Sequence, residues 1–155
     1  MSLDESLSDY KEKVVATNRA TLTWDRDLVF TATTQRGYDI EFDAEMEWGC
    51  MPLEGVLLSL AGCMAIDVVS ILTKMRTPPE SFSMEIEGER NVTPPQRYLG
   101  IHMTLHLAGA DLAEEKVQRA VDLSQGKYCS VYNTLRPDLE VTTSFVINEE
   151  VNPEA

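Results

Sequence analysis

Basic residues are scarce in this chain, and their scarcity excludes two classes of partner. Thirteen Lys and Arg residues stand against 26 Asp and Glu residues in a sequence of 155, which gives a formal net charge of −13. Nucleic acids and anionic membranes are bound by clusters of Lys and Arg that neutralise phosphate, and no such cluster occurs here. The sequence therefore predicts neither a nucleic-acid partner nor a membrane partner.

Cysteines are also few. Cys50, Cys63 and Cys129 are an odd number and form no C-x-x-C pair. This pattern fits neither the disulfide framework of a secreted protein nor a four-ligand zinc site, so no metal or other cofactor is predicted. A disulfide that forms here is expected to be functional rather than structural.

The chain has no repeat, and its start, MSLDESLSDYKEK, has no apolar segment behind a basic one. We therefore expect a soluble cytoplasmic protein. A chain of this length predicts a single domain over residues 1–155. Residues 1–11 are expected to be a loose arm, and residues 148–155 an acidic tail.

One apolar run dominates the sequence, PLEGVLLSLAGCMAIDVVSILTKMR at residues 52–76. As a helix of about 36 Å it is apolar on nearly every side, which predicts that it is buried. Its polar and small residues share one narrow stripe, which comprises Ser59, Gly62, Cys63, Ser70, Thr73 and Lys74, with Asp67 just beyond. The thiol of Cys63 is therefore expected to be presented to a partner group rather than hidden among leucines.

Shorter patterned segments lie on both sides of this helix. Strands are predicted before it at residues 14–24, 28–34 and 38–42, and after it at residues 82–90, 98–107 and 139–147. An amphipathic helix is predicted from Leu112 to about Gln125, with Asp111 as its cap and Gly126 as its end. Ser130 can cap a further short helical turn. The order of elements predicts an α+β fold with a small antiparallel sheet in the N-terminal third.

Cys63 and Cys129 are candidates for a redox pair. Reduction of a peroxide by thiols needs one thiolate that attacks and a second thiol that resolves the sulfenic acid left behind. Cys129 precedes a predicted helix N-terminus, where the helix dipole favours a thiolate, whereas Cys63 lies about two turns inside its helix. The alternative is that both are buried residues without a chemical role.

Asp67 lies four residues beyond Cys63 and therefore on the same face of the helix. A carboxylate beside a thiol disfavours the thiolate, so an activating cation would have to come from another element. Alternatively, Asp67 bonds to Ser70 or to a neighbouring strand. The role of Cys50, in a loop beside Trp48, is left open.

His102 and His106 point to the same side of a predicted strand. They are roughly 13 Å apart, which is too far to share a metal ion. Both are expected to face solvent.

The two cysteine segments resemble a known family. LEGVLLSLAGCMAID (residues 53–67) and KYCSV (residues 127–131) are similar to motifs of the OsmC/Ohr family of thiol-dependent hydroperoxide reductases. The longer stretches GCMAIDVVSILTKMR and RAVDLSQGKYCSV look most like its YhfA-like branch. The resemblance implies an α+β fold with antiparallel sheets packed on a long buried central helix, assembled as an intertwined homodimer.

The resemblance also implies roles for individual residues. Cys63 would be the peroxidatic cysteine and Cys129 the resolving one. Glu54 would bond to an arginine from the N-terminal sheet that polarises the thiolate and the peroxide, for which Arg26 and Arg36 are the candidates. Glu54 and Cys63 are about 180° apart around an intact helix, so both serve one site only if the first turn is broken or the carboxylate comes from a second chain.

Two functions follow as hypotheses. The first is a peroxidase that reduces organic hydroperoxides in oxidative-stress defence, with Cys63, Cys129 and Glu54 as catalytic residues and an external dithiol as reductant. The second is a non-catalytic protein that binds a small apolar or thiol-bearing ligand at the dimer interface. Asp67 beside the thiol, which is unlike the peroxidase branches, favours the second.

Overall fold

The computed structural model describes Glu12 and residues 14–149. Two compact units follow one another along the chain, the first ending at Val56 and the second beginning at Leu57. The predicted N-terminal arm lies outside the described residues, as does the predicted acidic tail after Glu149. The prediction of a single domain stays a prediction.

The first unit contains an antiparallel sheet of three strands in the order β1-β2-β3. The strands are β1 (Ala20–Arg26), β2 (Val29–Thr34) and β3 (Asp39–Asp43). Strand β1 starts later than the predicted residue 14 because its first residue, Ala20, pairs with Thr34 at the end of β2, which leaves the preceding residues without a partner strand. Gly37 in the turn after β2 has a φ of +86°, which glycine adopts without strain.

Helix α1 (Pro52–Lys74) follows this sheet. It starts at the predicted proline, whose ring fixes a helical φ and whose missing N–H would have no partner in a first turn. The carboxylate of Glu54 accepts a hydrogen bond of 2.7 Å from the backbone N–H of Met51. Glu54 thus satisfies one of the unpaired donors at the helix N-terminus.

The C-terminus of α1 is closed by two backbone bonds across its last turn. The N–H of Thr77 donates to the carbonyl of Leu72, and the N–H of Arg76 donates to the carbonyl of Thr73, both at 2.9 Å. Arg76 has a φ of +60°. This left-handed residue reverses the chain as in a Schellman motif, so the helix ends within two residues of the predicted position.

Helix α1 buries one face within the chain. Leu60, Met64, Val68 and Leu72 follow one another at intervals of four residues and are fully buried. On another face, Leu58 is 62% exposed and Ile66 is 53% exposed. The predicted burial on nearly every side is therefore not completed by this chain alone.

The second unit contains a sheet in the order β4-β5-β6, with β4 (Ser81–Arg90), β5 (Tyr98–Ala108) and β6 (Glu140–Ile147). Strands β4 and β5 are antiparallel, but β6 is parallel to β5. The prediction of antiparallel sheets is therefore wrong for this pair. The connection from β5 to β6 contains helices rather than a tight turn, which brings the chain back to the same end of the sheet before β6 begins.

Apolar and polar residues alternate along β5. Ile101, Met103 and Leu105 are buried on one face of the sheet, as the sequence predicted. His102 and His106 lie on the opposite, polar face. The buried face of β5 and the buried residues of α1 form most of the core.

The connection between β5 and β6 contains α2 (Glu114–Leu123), a π-helical turn (Ser124–Tyr128) and α3 (Ser130–Thr134). The cap of α2 is Ala113 rather than the predicted Asp111, and its side chain makes no capping bond. The predicted end at Gly126 is also wrong, because the π-helical turn carries the helical path past it.

Candidate active site

Two segments far apart in sequence bring three reactive side chains together in the second unit. Cys63 and Asp67 lie one turn apart on α1, and Cys129 precedes α3. The sulfur of Cys63, a carboxylate oxygen of Asp67 and the sulfur of Cys129 all lie within 4.8 Å of one another. The two thiols that the sequence singled out are therefore neighbours, and Asp67 belongs to the same cluster.

Cys129 is itself the N-cap of α3, a position that the sequence assigned to Ser130. Its sulfur accepts a hydrogen bond of 3.4 Å from the N–H of Tyr132. Its own N–H donates to the carbonyl of Ser124, five residues earlier, at 2.7 Å. The π-helical turn and the first turn of α3 thus fix the position of this thiol from both sides.

Asp67 is held by a residue that the sequence did not single out. The hydroxyl of Ser124 donates a hydrogen bond of 2.9 Å to Oδ2 of Asp67. Asp67 is 1% exposed and Ser124 is fully buried. This partner lies 57 positions along the chain, and no local sequence pattern marks it.

The surroundings of Cys129 disfavour its ionised form. Burial is the largest cause and raises its pKa from 9.0 to about 11, with smaller raising contributions from Cys63 and Asp67. The hydrogen bond from Tyr132 acts in the opposite direction. Without solvent around it, the thiolate loses hydration that one backbone N–H does not replace, so Cys129 stays protonated at neutral pH.

The two thiols differ in accessibility. Cys63 is half-buried, whereas Cys129 is fully buried. A molecule arriving from solvent therefore meets Cys63 first.

Residues 32–144 match the family model of OsmC-like proteins. The chain belongs to the OsmC-like family. Protein YhfA of Escherichia coli strain K12 is 35% identical over 130 residues, which cover 83% of this chain and 97% of YhfA. These matches confirm the resemblance of the two cysteine segments to the OsmC/Ohr family.

Solved structures agree with this assignment. A hypothetical protein from Aquifex aeolicus VF5 matches with a TM-score of 0.75 at 26% identity, covering 87% of this chain and all of that one. The organic hydroperoxide resistance protein OhrB of Bacillus subtilis matches with a TM-score of 0.59 at 16% identity, covering 86% of this chain and all of that one. The predicted α+β OsmC-like fold is confirmed. Although α1 is long and apolar enough to cross a membrane, it is the core helix of a soluble OsmC-like fold.

The position of Glu54 bears on the role that the family resemblance implies for it. Its carboxylate caps α1, which runs unbroken from Pro52 to Lys74. In an unbroken helix, residues nine positions apart project in nearly opposite directions. Glu54 was expected to reach Cys63 either through a broken first turn or from a second chain. Because the first turn is intact, the role implied for Glu54 requires a second chain.

The two candidate arginines lie in the first unit. Arg26 bonds to the carboxylate of Asp25 and lies over the ring of Trp48, 5.3 Å from its centroid. Arg36 lies between β2 and β3. The activating arginine predicted from the family thus stays a prediction.

Three arginines of the second unit have partners away from the thiols. The guanidinium of Arg90 donates to Gln96, and Arg97 and Arg136 both contact Asp138. None of these contacts is made to Cys63.

Cys50 and the two histidines lie outside the cluster. The backbone of Cys50 exchanges hydrogen bonds of 3.1 Å with Glu41 and Asp43, so it extends the edge of the first sheet. His102 contacts Thr142 and Ser144 on β6. His106 bonds to Glu85 and Glu149, and these bonds raise its pKa above 6.5.

Proposed function

We propose that this protein is a cysteine-based peroxidase that reduces organic hydroperoxides in the cytoplasm. The observation that carries the proposal is the approach of the Cys63 and Cys129 sulfurs to within 4.8 Å. A disulfide needs an S–S distance of about 2.05 Å, so a movement of less than about 3 Å joins them. The two sulfurs come from segments 66 positions apart, so the fold and not the sequence spacing brings them together.

The reaction begins with attack of the Cys63 thiolate on the outer oxygen of ROOH. An S–O bond forms as the O–O bond breaks, which gives a sulfenic acid at Cys63 and an alkoxide that takes up a proton. The Cys129 sulfur then attacks the Cys63 sulfur, forming the disulfide and releasing water. An external dithiol reduces the disulfide and restores both thiols.

The difference in exposure supports this division of roles. Cys63 is half-buried and can meet the substrate, whereas Cys129 is fully buried and can meet only its neighbour. The name of the structural neighbour OhrB, an organic hydroperoxide resistance protein, supports the same class of substrate. Within this proposal the function of the protein is defence against oxidative stress.

The proposal includes a homodimer. Leu22 and Trp24 of β1 are 62% and 67% exposed, and Leu58 and Ile66 of α1 are also largely exposed. In this proposal these exposed apolar side chains are the positions that a partner surface covers. A second copy would cover them and could bring its Glu54, with Arg26 or Arg36, to the Cys63 thiol.

The central test is a reaction of the reduced protein with cumene hydroperoxide, followed by disulfide mapping by mass spectrometry. We expect a Cys63–Cys129 disulfide in the wild type and a stable sulfenic acid at Cys63 in Cys129→Ser. Cys63→Ser should lose turnover, whereas Cys50→Ser, the matched control, should retain it. Unmodified Cys63 after excess peroxide would reject the proposal.

The dimer has its own test. Leu58→Glu places a charge on the exposed face of α1, and we expect it to convert a dimer into monomers, as measured by light scattering after size-exclusion chromatography. Glu114→Gln, on the exposed start of α2, is the control and should leave the mass unchanged. A wild-type protein that is already monomeric contradicts the dimer.

A second function is favoured by Asp67. Because its carboxylate lies beside both thiols and raises the pKa of Cys129, the site could instead bind a small apolar or thiol-bearing ligand without turnover. The two functions differ in the alkylation rate of Cys63 as a function of pH. Rapid alkylation at neutral pH supports the peroxidase, whereas alkylation only in alkaline solution supports the binding protein.

A further inference from the structure

The peroxidase proposal leaves the buried carboxylate of Asp67 without a use. Its oxygen lies within 4.8 Å of both sulfurs, and its charge is one of the causes that raise the pKa of Cys129. The same arrangement favours a bound cation, because a divalent ion would offset two of the three negative charges that two thiolates and the carboxylate carry. The cluster therefore needs to be considered as a set of ligands as well as a redox pair.

We propose that the reduced protein binds one Zn²⁺ ion per chain through the sulfurs of Cys63 and Cys129 and a carboxylate oxygen of Asp67. Two sulfurs and one oxygen are a donor set that zinc accepts. The inference is independent of the proposed peroxidase activity, because it requires only the two reduced thiols and the carboxylate.

The distances suit this ion with little rearrangement. In a tetrahedral site with Zn–S bonds of about 2.3 Å, the two sulfurs lie about 3.8 Å apart. The three donor atoms of the cluster already lie within 4.8 Å of one another. A contraction of about 1 Å or less, within the range of side-chain rotation, completes the geometry.

The chain also supplies a hydrogen bond that holds the carboxylate, and an entrance for the ion. Ligating carboxylates in metal sites are themselves held by hydrogen bonds, and Ser124 holds Oδ2 of Asp67 in this way. Asp67 and Cys129 are buried, so the ion would be shielded from solvent on their side. Cys63 is half-buried and provides the side from which the ion enters and on which a water completes the fourth position.

This site differs from the zinc motifs that a sequence reveals. A four-ligand structural site is recognised by closely spaced pairs of cysteines, which this chain lacks. Here the ligands come from the middle of one helix and the cap of another, 66 residues away. Three protein ligands leave one position open, as in sites that exchange their metal or bind a further ligand.

The site cannot hold a zinc ion and a disulfide at the same time, because both use the sulfurs of Cys63 and Cys129. Zinc binding displaces the protons of both thiols, because the thiolates are the ligands. Oxidation by one equivalent of hydroperoxide and two protons then gives the disulfide, an alcohol, water and free Zn²⁺. Zinc would thus protect the thiols and leave when they are oxidised.

The test uses the full-length protein, reduced and freed of metal, titrated with Zn²⁺ against a chromogenic chelator. We expect one ion per chain, and a sulfur-to-metal charge-transfer band when Co²⁺ replaces Zn²⁺. Cys63→Ser, Cys129→Ser and the isosteric Asp67→Asn should each weaken binding by at least about tenfold, and Ser124→Ala by about tenfold. Cys50→Ser, which alters the thiol outside the cluster, should bind like the wild type.

Circular dichroism establishes that each variant is folded before its affinity is compared. Binding of wild-type strength in Asp67→Asn overturns the three-ligand site, as does a loss of binding in Cys50→Ser or a wild type without stoichiometric binding. Turnover of peroxide by the metal-free protein is measured separately. A zinc site without turnover, or turnover without a zinc site, therefore distinguishes the two proposals.

Discussion

The protonated, buried state of Cys129 gives a prediction that can be worked out in numbers. The pKa of this thiol is raised from 9.0 to about 11, chiefly by burial. At pH 8 a thiol with the lower value is about 9% ionised and one with the higher value about 0.1% ionised. Because only the thiolate is alkylated, we expect Cys129 in the folded, reduced protein to react with iodoacetamide about 100-fold more slowly than in the unfolded chain.

The measurement is a time course at several pH values, with Cys129 and Cys50 quantified in the same digest by mass spectrometry. The rate at Cys129 should still increase tenfold per pH unit between pH 9 and about 10, because its midpoint lies near 11. Asp67→Asn removes one of the raising contributions and should increase the rate. A protection below about tenfold at pH 8, or a rate that levels off below pH 9, would refute the reasoning.

The same raised pKa has a consequence for stability. The folded state retains the Cys129 proton to a higher pH than the unfolded state does, so its contribution to the free energy of unfolding is complete below pH 9. This contribution is lost as the pH increases from 9 to about 11.

Three further predictions concern stability and charge. Ser124→Ala removes the bond to Asp67 and should lower the free energy of unfolding by about 1–3 kcal/mol in urea titrations, whereas the exposed Ser130→Ala should change it by less than about 0.5 kcal/mol. Equal effects of the two substitutions would contradict a structural role for that bond. Gly88→Ala places a Cβ 2.6 Å from the Tyr98 ring and should cost about 1–3 kcal/mol in thermal unfolding, and an unchanged midpoint would contradict this contact. His106 has a pKa raised mainly by its bond to Glu85, so Glu85→Gln should lower the midpoint of its NMR titration. In the wild type, the contribution of protonated His106 to the free energy of unfolding is complete below pH 6.5 and is lost as the pH passes the raised midpoint. A midpoint unaffected by Glu85→Gln would contradict Glu85 as the cause of the raised pKa.

Much of the fold could be predicted because its signals are local. The start of α1 follows from Pro52, and its end from the residues before Pro78. The alternation along β5 predicted the buried face that Met103 and Leu105 occupy. These patterns need only neighbours in sequence, which is why the element order was correct.

The larger errors arose where distant residues decide the structure. Parallel pairing of β6 with β5 depends on where the helical connection returns the chain, which no strand pattern records. The bond from Ser124 to Asp67 joins residues 57 positions apart, and no local pattern predicts such a pair. The cluster itself was predicted only as a pair of candidate thiols, because proximity across 66 residues is a property of the fold.

The role of Glu54 shows a different limit of prediction from the sequence. Its carboxylate bonds to Met51 in the first turn of its own helix, a contact that the capping pattern explains fully. Whether it also serves Cys63 depends on a second chain, and one sequence does not specify how two copies meet. Glu54→Gln tests this role, since it preserves the shape of the side chain and removes its charge.

The π-helical turn makes this part of the chain intolerant of changes in length. Each residue added to or removed from a helical path rotates everything that follows by about 100° and shifts it by about 1.5 Å. Ser124 and Cys129 lie five positions apart along this wider turn, and the N–H of Cys129 donates to the carbonyl of Ser124, so both side chains face the cluster. Deleting Gly126 alone, which removes no side chain, would rotate the Cys129 thiol away from Cys63 and Asp67. The segment is therefore expected to accept exchanges of residue type far more readily than insertions or deletions.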